Sequence, residues 1–192
     1  MNEPNPLSDI YSDGRGINLE TLEKTIRLAV ELAREGREGR KIGTMFVVSD
    51  SDRTAKHSTC LILDPLRGHP DETKHLDDPN VWETVKELAQ LDGAFIISDD
   101  GIVVSATRYI DASSEGIELP LGLGSRHMAA ASITKHTDAV AVVVSESSVV
   151  RIFDDAEILS EIIPELWLFR RHGLDLSGPF SATQPSERNK KG

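Results

Sequence analysis

The chain contains one cysteine, Cys60. A single thiol excludes an internal disulfide and any cysteine-based zinc cage, and it fits a reducing compartment. Long apolar runs are also missing. No stretch approaches the ~20 residues that span a bilayer, and Met1–Ile10 lacks the basic start and apolar core of a secretory signal. These absences predict a soluble protein of the cytoplasm. Basic residues are outnumbered, 21 Lys and Arg against 32 Asp and Glu, for a formal charge of −11. Nucleic-acid binding through phosphates calls for a basic face, and none is evident, so neither nucleic acid nor membrane is an expected partner. Net charge does not report on a local pocket, which leaves room for a nucleotide site.

The 192 residues suit one domain. A domain of this size buries roughly 70% of its unfolded surface, so it needs no disulfide or metal staple. Residues 1–15 read as a flexible lead-in, 16–170 as the domain, and 171–192 as a polar, mobile tail. Asn18 is a plausible N-cap for a helix over Leu19–Glu35, whose Leu19, Leu22, Ile26, Ala29, Val30 and Ala33 follow helical spacing, with Gly36 and Gly39 ending it. Strands are expected at Thr44–Val48, followed by a turn at Ser49–Arg53, and at Thr59–Leu63. A polar loop covers 67–78. Pro79 suits the first turn of a helix reaching about Gln90.

Asp99-Asp100-Gly101 is a turn signal between strands Ala94–Ser98 and Ile102–Thr107, with Tyr109 and Ile110 following the second strand. A helix is expected from about Ser125 to Lys135. The continuous run over Asp138–Ser145 reads as a strand buried on both faces, with a turn at Glu146–Ser148 and a return strand over Val149–Phe153. A helix from Asp155 to about Phe169, kinked at Pro164, is expected to close the domain. Helices interspersed with hairpins predict an α/β protein of the mixed kind, a central mixed sheet covered by helices.

Three segments carry chemistry. In Gly124-Ser125-Arg126-His127-Met128-Ala129-Ala130 a glycine precedes a hydroxyl, a guanidinium and an imidazole at a helix start. Free N–H groups and the helix dipole favour an anion there, and Arg126 suits bidentate phosphate binding. Read alone, the segment is equally a capped helix with a surface arginine and a partly buried histidine. In Leu91-Asp92-Gly93-Ala94 a carboxylate meets a glycine that allows close approach; read alone it is an ordinary Asp-Gly turn. Ser145-Glu146 ends the buried strand, either at a ligand crevice or in a polar turn. Tyr109 and Ile110 could sandwich a base or sit in the core. His57, His69, His75 and His136 fall at irregular spacing in polar segments and are not expected to bind metal.

The series Leu91–Ala94, Arg108-Tyr109-Ile110, Gly124–Ala130, Thr137-Asp138-Ala139 and Val144-Ser145-Glu146 resembles the diadenylate cyclase (DAC) domain family in order, spacing and strand pattern. The resemblance is firmest over Leu91–Phe153. It extends more weakly through Leu19–Asp64, where Glu35–Gly39 and Ile42-Gly43-Thr44 look like the soluble archaeal branch.

The resemblance implies an enzyme that condenses two ATP into cyclic di-AMP with release of pyrophosphate. It implies that Asp92 activates the ribose 3′-hydroxyl, that Gly93 and Ala94 line the nucleotide, and that Tyr109 and Ile110 contact adenine. Gly124, Ser125, Arg126 and His127 would grip the triphosphate, with Arg126 and His127 assisting catalysis, and Ser145 and Glu146 would lie near the phosphates. A divalent metal, Mn²⁺ or Mg²⁺, would sit with Asp92, His127 and Glu146. The partner implied is a second copy of the chain, bringing two ATP face to face, so that an isolated monomer is inactive. Other members carry transmembrane helices, a DNA-binding region or an extra N-terminal domain, none of which is expected here. Two positions depart from the family pattern. Met128 stands where an arginine is usual, and Ser147 stands where many members carry an acid. Met128 keeps open a non-catalytic sensor of ATP or cyclic di-AMP, and an interaction module that binds no nucleotide is a third reading.

Overall fold

A computed structural model describes residues 16–171. The expected lead-in at 1–15 and tail at 172–192 lie outside the described residues, while Arg171 closes the last helix. Seven strands form one sheet: β1 (Thr44–Val48), β2 (Ser58–Cys60), β3 (Ala94–Ile97), β4 (Val103–Ile110), β5 (Val140–Val144), β6 (Val150–Asp154) and β7 (Glu157–Ile162). Their spatial order is β2-β4-β3-β1-β5-β6-β7. Only β1 and β3 run parallel. Among the described residues five α-helices accompany them: α1 (Leu19–Glu35), α2 (Ser51–Lys56), α3 (Pro79–Leu88), α4 (Ser125–His136) and α5 (Pro164–Arg171).

Side-chain alternation splits the core into two layers. Phe46, Val48, Phe95, Ile97, Val142 and Ile152 face one way and pack with Leu22, Ile26, Ala29 and Ala33 of α1 and with Val81 and Val85 of α3. Met45, Val47, Ala141, Val143 and Phe153 face the other way and pack with Ala130, Ala131 and Ile133 of α4. The small residues on α4 let it lie close to the sheet. β1 and β5 are buried on both faces, which is why they read as unbroken apolar runs.

Local signals explain most boundaries. Asn18 Oδ1 accepts from the N–H groups of Glu20 at 3.0 Å and Thr21 at 3.3 Å, and α1 ends at Gly36. Asp78 caps α3 through the N–H of Asn80 at 2.8 Å, ahead of Pro79 in the first turn. The hairpin over Asp99–Gly101 is present as expected.

Five expectations are corrected. The closing helix from Asp155 is instead a hairpin followed by a shorter helix. Asp155 and Ala156 adopt positive φ, 48° and 68°, the geometry of a two-residue turn, and β7 then covers the open edge of β6. Pro164 starts α5 and kinks nothing. The segment after β1 holds a short helix, α2, entered through Ser49 and Asp50 in left-handed conformations. The second expected strand stops at Cys60, leaving Leu61, Ile62 and Leu63 exposed. In β4, Thr107 takes φ 53° just past the Cys60–Arg108 pair, and the pairing ends after one further bond, from the N–H of Leu61 to the Thr107 carbonyl at 2.9 Å. Finally, β4 runs on to Ile110, so Tyr109 and Ile110 lie within the strand.

Candidate active site at one end of the sheet

Strand register brings the predicted segments to one end of the sheet. Ala94 at the start of β3 pairs with Met45 on one side and Arg108 on the other. Thr44 pairs with Val144, the last residue of β5. Across this end therefore lie, in order, Arg108, Asp92–Ala94, Gly43–Thr44 and Ser145–Glu146. Asp92 and Glu146 belong to strands two places apart, a backbone separation of about 10 Å. Both are exposed.

Glycines create this site by close approach. A Cβ on Gly93 would fall 2.7 Å from the carbonyl carbon of Thr107 and 2.8 Å from the nitrogen of Arg108, and Gly93 has φ 111°. Only glycine fits there. The junction bearing Asp92 thus rests directly on the bulge of β4. Gly43 has an ordinary φ, but a Cβ on it would meet Arg126 Nη1 at 2.5 Å and Glu146 Cγ at 3.0 Å. The guanidinium of α4 and the carboxylate after β5 therefore converge over the bare backbone before β1.

The start of α4 suits an anion. Gly124, its N-cap, offers no side-chain cap, and the first turn holds no acid. Its carbonyl accepts from the N–H groups of His127 and Met128. Ser125 is exposed and Arg126 half-buried. The helix dipole and a cation thus act together at one point.

His127 is 7% exposed. Burial, then the charge of Arg151, then that of Arg126 hold its pKa below the ordinary 6.5, against a smaller opposing effect of Glu161. Its Nε2 lies 3.3 Å from Arg151 Nη1, and its Nδ1 is buried without a hydrogen-bond partner.

The remaining expected residues divide. Tyr109 is 54% exposed and presents a ring to solvent. Ile110 is 3% exposed and its side chain belongs to the α4-side core. Ser145 hydrogen-bonds Ser147 at 2.8 Å within the turn after β5. Met128 is half-buried against the α4-side core rather than turned to the site. Arg108 is held by β2 and α2, donating to the carbonyls of Ser58 at 2.8 Å and Ala55 at 3.0 Å. A separate cleft of about 390 Å³ between α1 and α3 includes Lys24, Trp82 and Lys86, and none of the expected site residues lines it. Its lysines are engaged by Glu20, Asp77, Glu31 and Glu83.

Among the described residues no three His, Cys, Asp or Glu side chains converge as a metal cage. The donor set still fits a hard cation in part. Asp92 and Glu146 offer exposed oxygens, and Mg²⁺ ordinarily takes one or two carboxylates together with substrate phosphates and water.

The residues that sequence reasoning missed are Gly43, Thr107, Arg151 and Glu161. Gly43 was visible only as part of a motif, without its role. A β-branched residue at positive φ leaves no mark in sequence. Arg151 and Glu161 become neighbours only because β7 is a strand.

The sequence model of the DAC family, described as DisA bacterial checkpoint controller nucleotide-binding, matches residues 31–158. A protein named diadenylate cyclase from Methanocaldococcus jannaschii is 48% identical over 145 residues, which are 75% of this chain and 46% of that one. Another of the same name from Haloferax volcanii is 39% identical over 162 residues, 83% of this chain and 58% of that one. The chain thus spans about half the length of these curated relatives. Among solved structures, a Bacillus cereus protein titled as hypothetical and membrane spanning has a TM-score of 0.54 at 20% identity, covering 72% of this chain and 62% of that one. A double mutant of DacA from Staphylococcus aureus has a TM-score of 0.50 at 21% identity, covering 80% of this chain and 95% of that one. At such identities these two speak for the fold alone.

The fold is a mixed seven-stranded sheet with helices on both faces, with Gly43 and Gly93 closely approached at one end. The chain belongs to the DAC family.

Proposed function

We propose that this chain is a diadenylate cyclase acting in the cytoplasm, with residues 16–170 as its catalytic domain. The observation that carries the reading is the meeting of Arg126, the uncapped start of α4 and Glu146 over Gly43, with the Asp92 carboxylate on the same sheet end. A polyphosphate grip and a candidate base thus share one end of the sheet.

ATP lies with its adenine against Tyr109 and its ribose beside Asp92, Gly93 and Ala94. Its phosphates reach Gly124, Ser125, Arg126, His127 and Ser145. The 3′-oxygen of one ATP attacks the α-phosphorus of a second. A new O–P bond forms, the bond to the β-phosphate bridging oxygen breaks, and pyrophosphate leaves; two such events close the ring. Asp92 accepts the proton of the 3′-hydroxyl. Arg126, His127 and the helix N-terminus neutralise charge growing on the phosphate oxygens and leaving group. A divalent cation held by Asp92 and Glu146 would supply further charge neutralisation and lower the hydroxyl's pKa. The product is two-fold symmetric and one chain holds one nucleotide, so two copies face each other with the same patch used twice.

Incubation with ATP and Mn²⁺ or Mg²⁺, followed by chromatography, tests the reading. Cyclic di-AMP is the expected product, and its rate of formation depends on protein concentration as dimers assemble. Tight ATP binding without turnover under either metal would replace the cyclase with the sensor. Absence of any nucleotide binding would leave an interaction module.

A further inference from the structure

The imidazole of His127 is approached from β6 by two side chains on one face. Phe153 lies 6.1 Å away between ring centroids, and Arg151 places Nη1 3.3 Å from Nε2. A guanidinium carries only N–H donors and keeps its charge. Nε2 is therefore the acceptor, and the ring proton sits on Nδ1.

Arg151 is itself braced. It stands directly opposite Glu161 in the β6–β7 ladder, and its Nε donates to Glu161 Oε1 at 2.9 Å. The Arg151 side chain is only 14% exposed. One edge of the guanidinium is thus tied to a carboxylate while another is turned to the histidine. Met128, next to His127 in the chain, packs on the core, so this cation comes from a strand and not from the helix.

We infer that Arg151, braced by Glu161, is a positioning residue for His127: it fixes the imidazole as the Nδ1–H tautomer and holds the Nε2 edge of the ring toward β6. The effect on turnover rests on the cyclase reading; the tautomer and its cause do not. The unpartnered Nδ1 is what this device produces, because the other nitrogen is already used. The depressed pKa of the ring agrees with a neutral imidazole beside a permanent cation.

The test uses the full chain labelled with ¹⁵N-histidine. Two-bond proton–nitrogen spectra, recorded above the imidazole titration range and assigned with His127→Gln, report the tautomer. The expected pattern is a protonated Nδ1 and an acceptor Nε2. Arg151→Met should give a mixture of tautomers and lower kcat about 10- to 100-fold, with the KM for ATP within about twofold. Arg151→Gln, whose amide can still donate to Nε2, should restore the single tautomer and most of kcat. Glu161→Gln, which leaves Arg151 unbraced, serves as the second variant if Arg151→Met does not fold, and should give a partial loss of the same kind. A wild-type ring protonated on Nε2, or an unchanged tautomer in Arg151→Met, overturns the inference. So does a variant that raises KM alone, since Arg151 would then bind ATP directly. A chain that forms no cyclic di-AMP removes the cyclase reading, while the spectra still decide the role of Arg151.

Discussion

The two ends of the sheet are built differently. At the end where β1 and β3 finish, polar groups are spent on each other. Arg53 pairs with Asp50 at 3.2 Å and Asp138 at 3.0 Å and donates to the carbonyl of His136 at 2.7 Å. Asp50 also accepts from the N–H of Asp138, and Ser49 donates to Asp99 at 2.6 Å. At the other end Arg126 and Glu146 crowd over Gly43, α4 starts without a side-chain cap, and the buried Thr107 hydroxyl and His127 Nδ1 lack partners. Among the described residues one buried hydroxyl, that of Thr54 in α2, is unpaired outside this site end. The lesson is physical. Charges satisfied within the chain hold turns together, whereas polar groups left unmatched cost stability unless a ligand completes them.

The largest expected difference between the ends comes from Asp92→Asn. Loss of the candidate base should lower cyclase kcat by about 10²–10⁴, while the melting curve moves little because the side chain is exposed. An unchanged rate would remove Asp92 from the chemistry. Gly93→Ala forces a Cβ against the backbone of Thr107 and Arg108. Denaturant titration should show a loss of about 1–3 kcal/mol.

Gly43→Ala is milder for the fold, since the nearest atoms are side-chain ends of Arg126 and Glu146. It should weaken ATP binding about tenfold by displacing the guanidinium, read by calorimetry with little change in melting temperature.

The next effect is a pH dependence. His127 has a folded pKa below its unfolded 6.5, so the unfolded chain binds the proton more readily. Its contribution to stability is complete above 6.5 and is lost as pH falls from there toward the folded pKa. Thermal melts from neutral to mildly acidic pH should decline, and His127→Gln should flatten that part of the decline. The smallest effect is expected at the opposite end. Arg53→Ala removes an exposed ion-pair network and should cost about 0.5 kcal/mol with no change in cyclase rate. A large loss of activity there would erase the contrast between the two ends.

Local grammar was legible wherever a few neighbouring residues decide the outcome. The Asn18 cap, Pro79 in the first turn of α3, and the Asp99–Gly101 hairpin all follow from such neighbours. The doubly buried β5 was legible from its unbroken apolar run. What escaped reading depends on distant partners. The segment Glu157–Ile162 becomes a strand because β6 offers it an open edge, and β2 ends beside a bulge in β4, some 45 residues away by chain count.

For the site, sequence by itself determined the chemical inventory: the Asp-Gly pair, the Gly-Ser-Arg-His helix start and the Ser-Glu strand end. These depend on residue type and spacing, which the chain carries locally. Only the tertiary structure decided how they are used. Register set Asp92 and Glu146 two strands apart. The bare Cα of Gly43 let Arg126 and Glu146 converge. The pairing of β6 with β7 tied Glu161 to Arg151 and so turned Arg151 toward His127. Those relations run between strands and helices, where hydrogen-bond ladders and packing, rather than neighbouring residues, choose the partner.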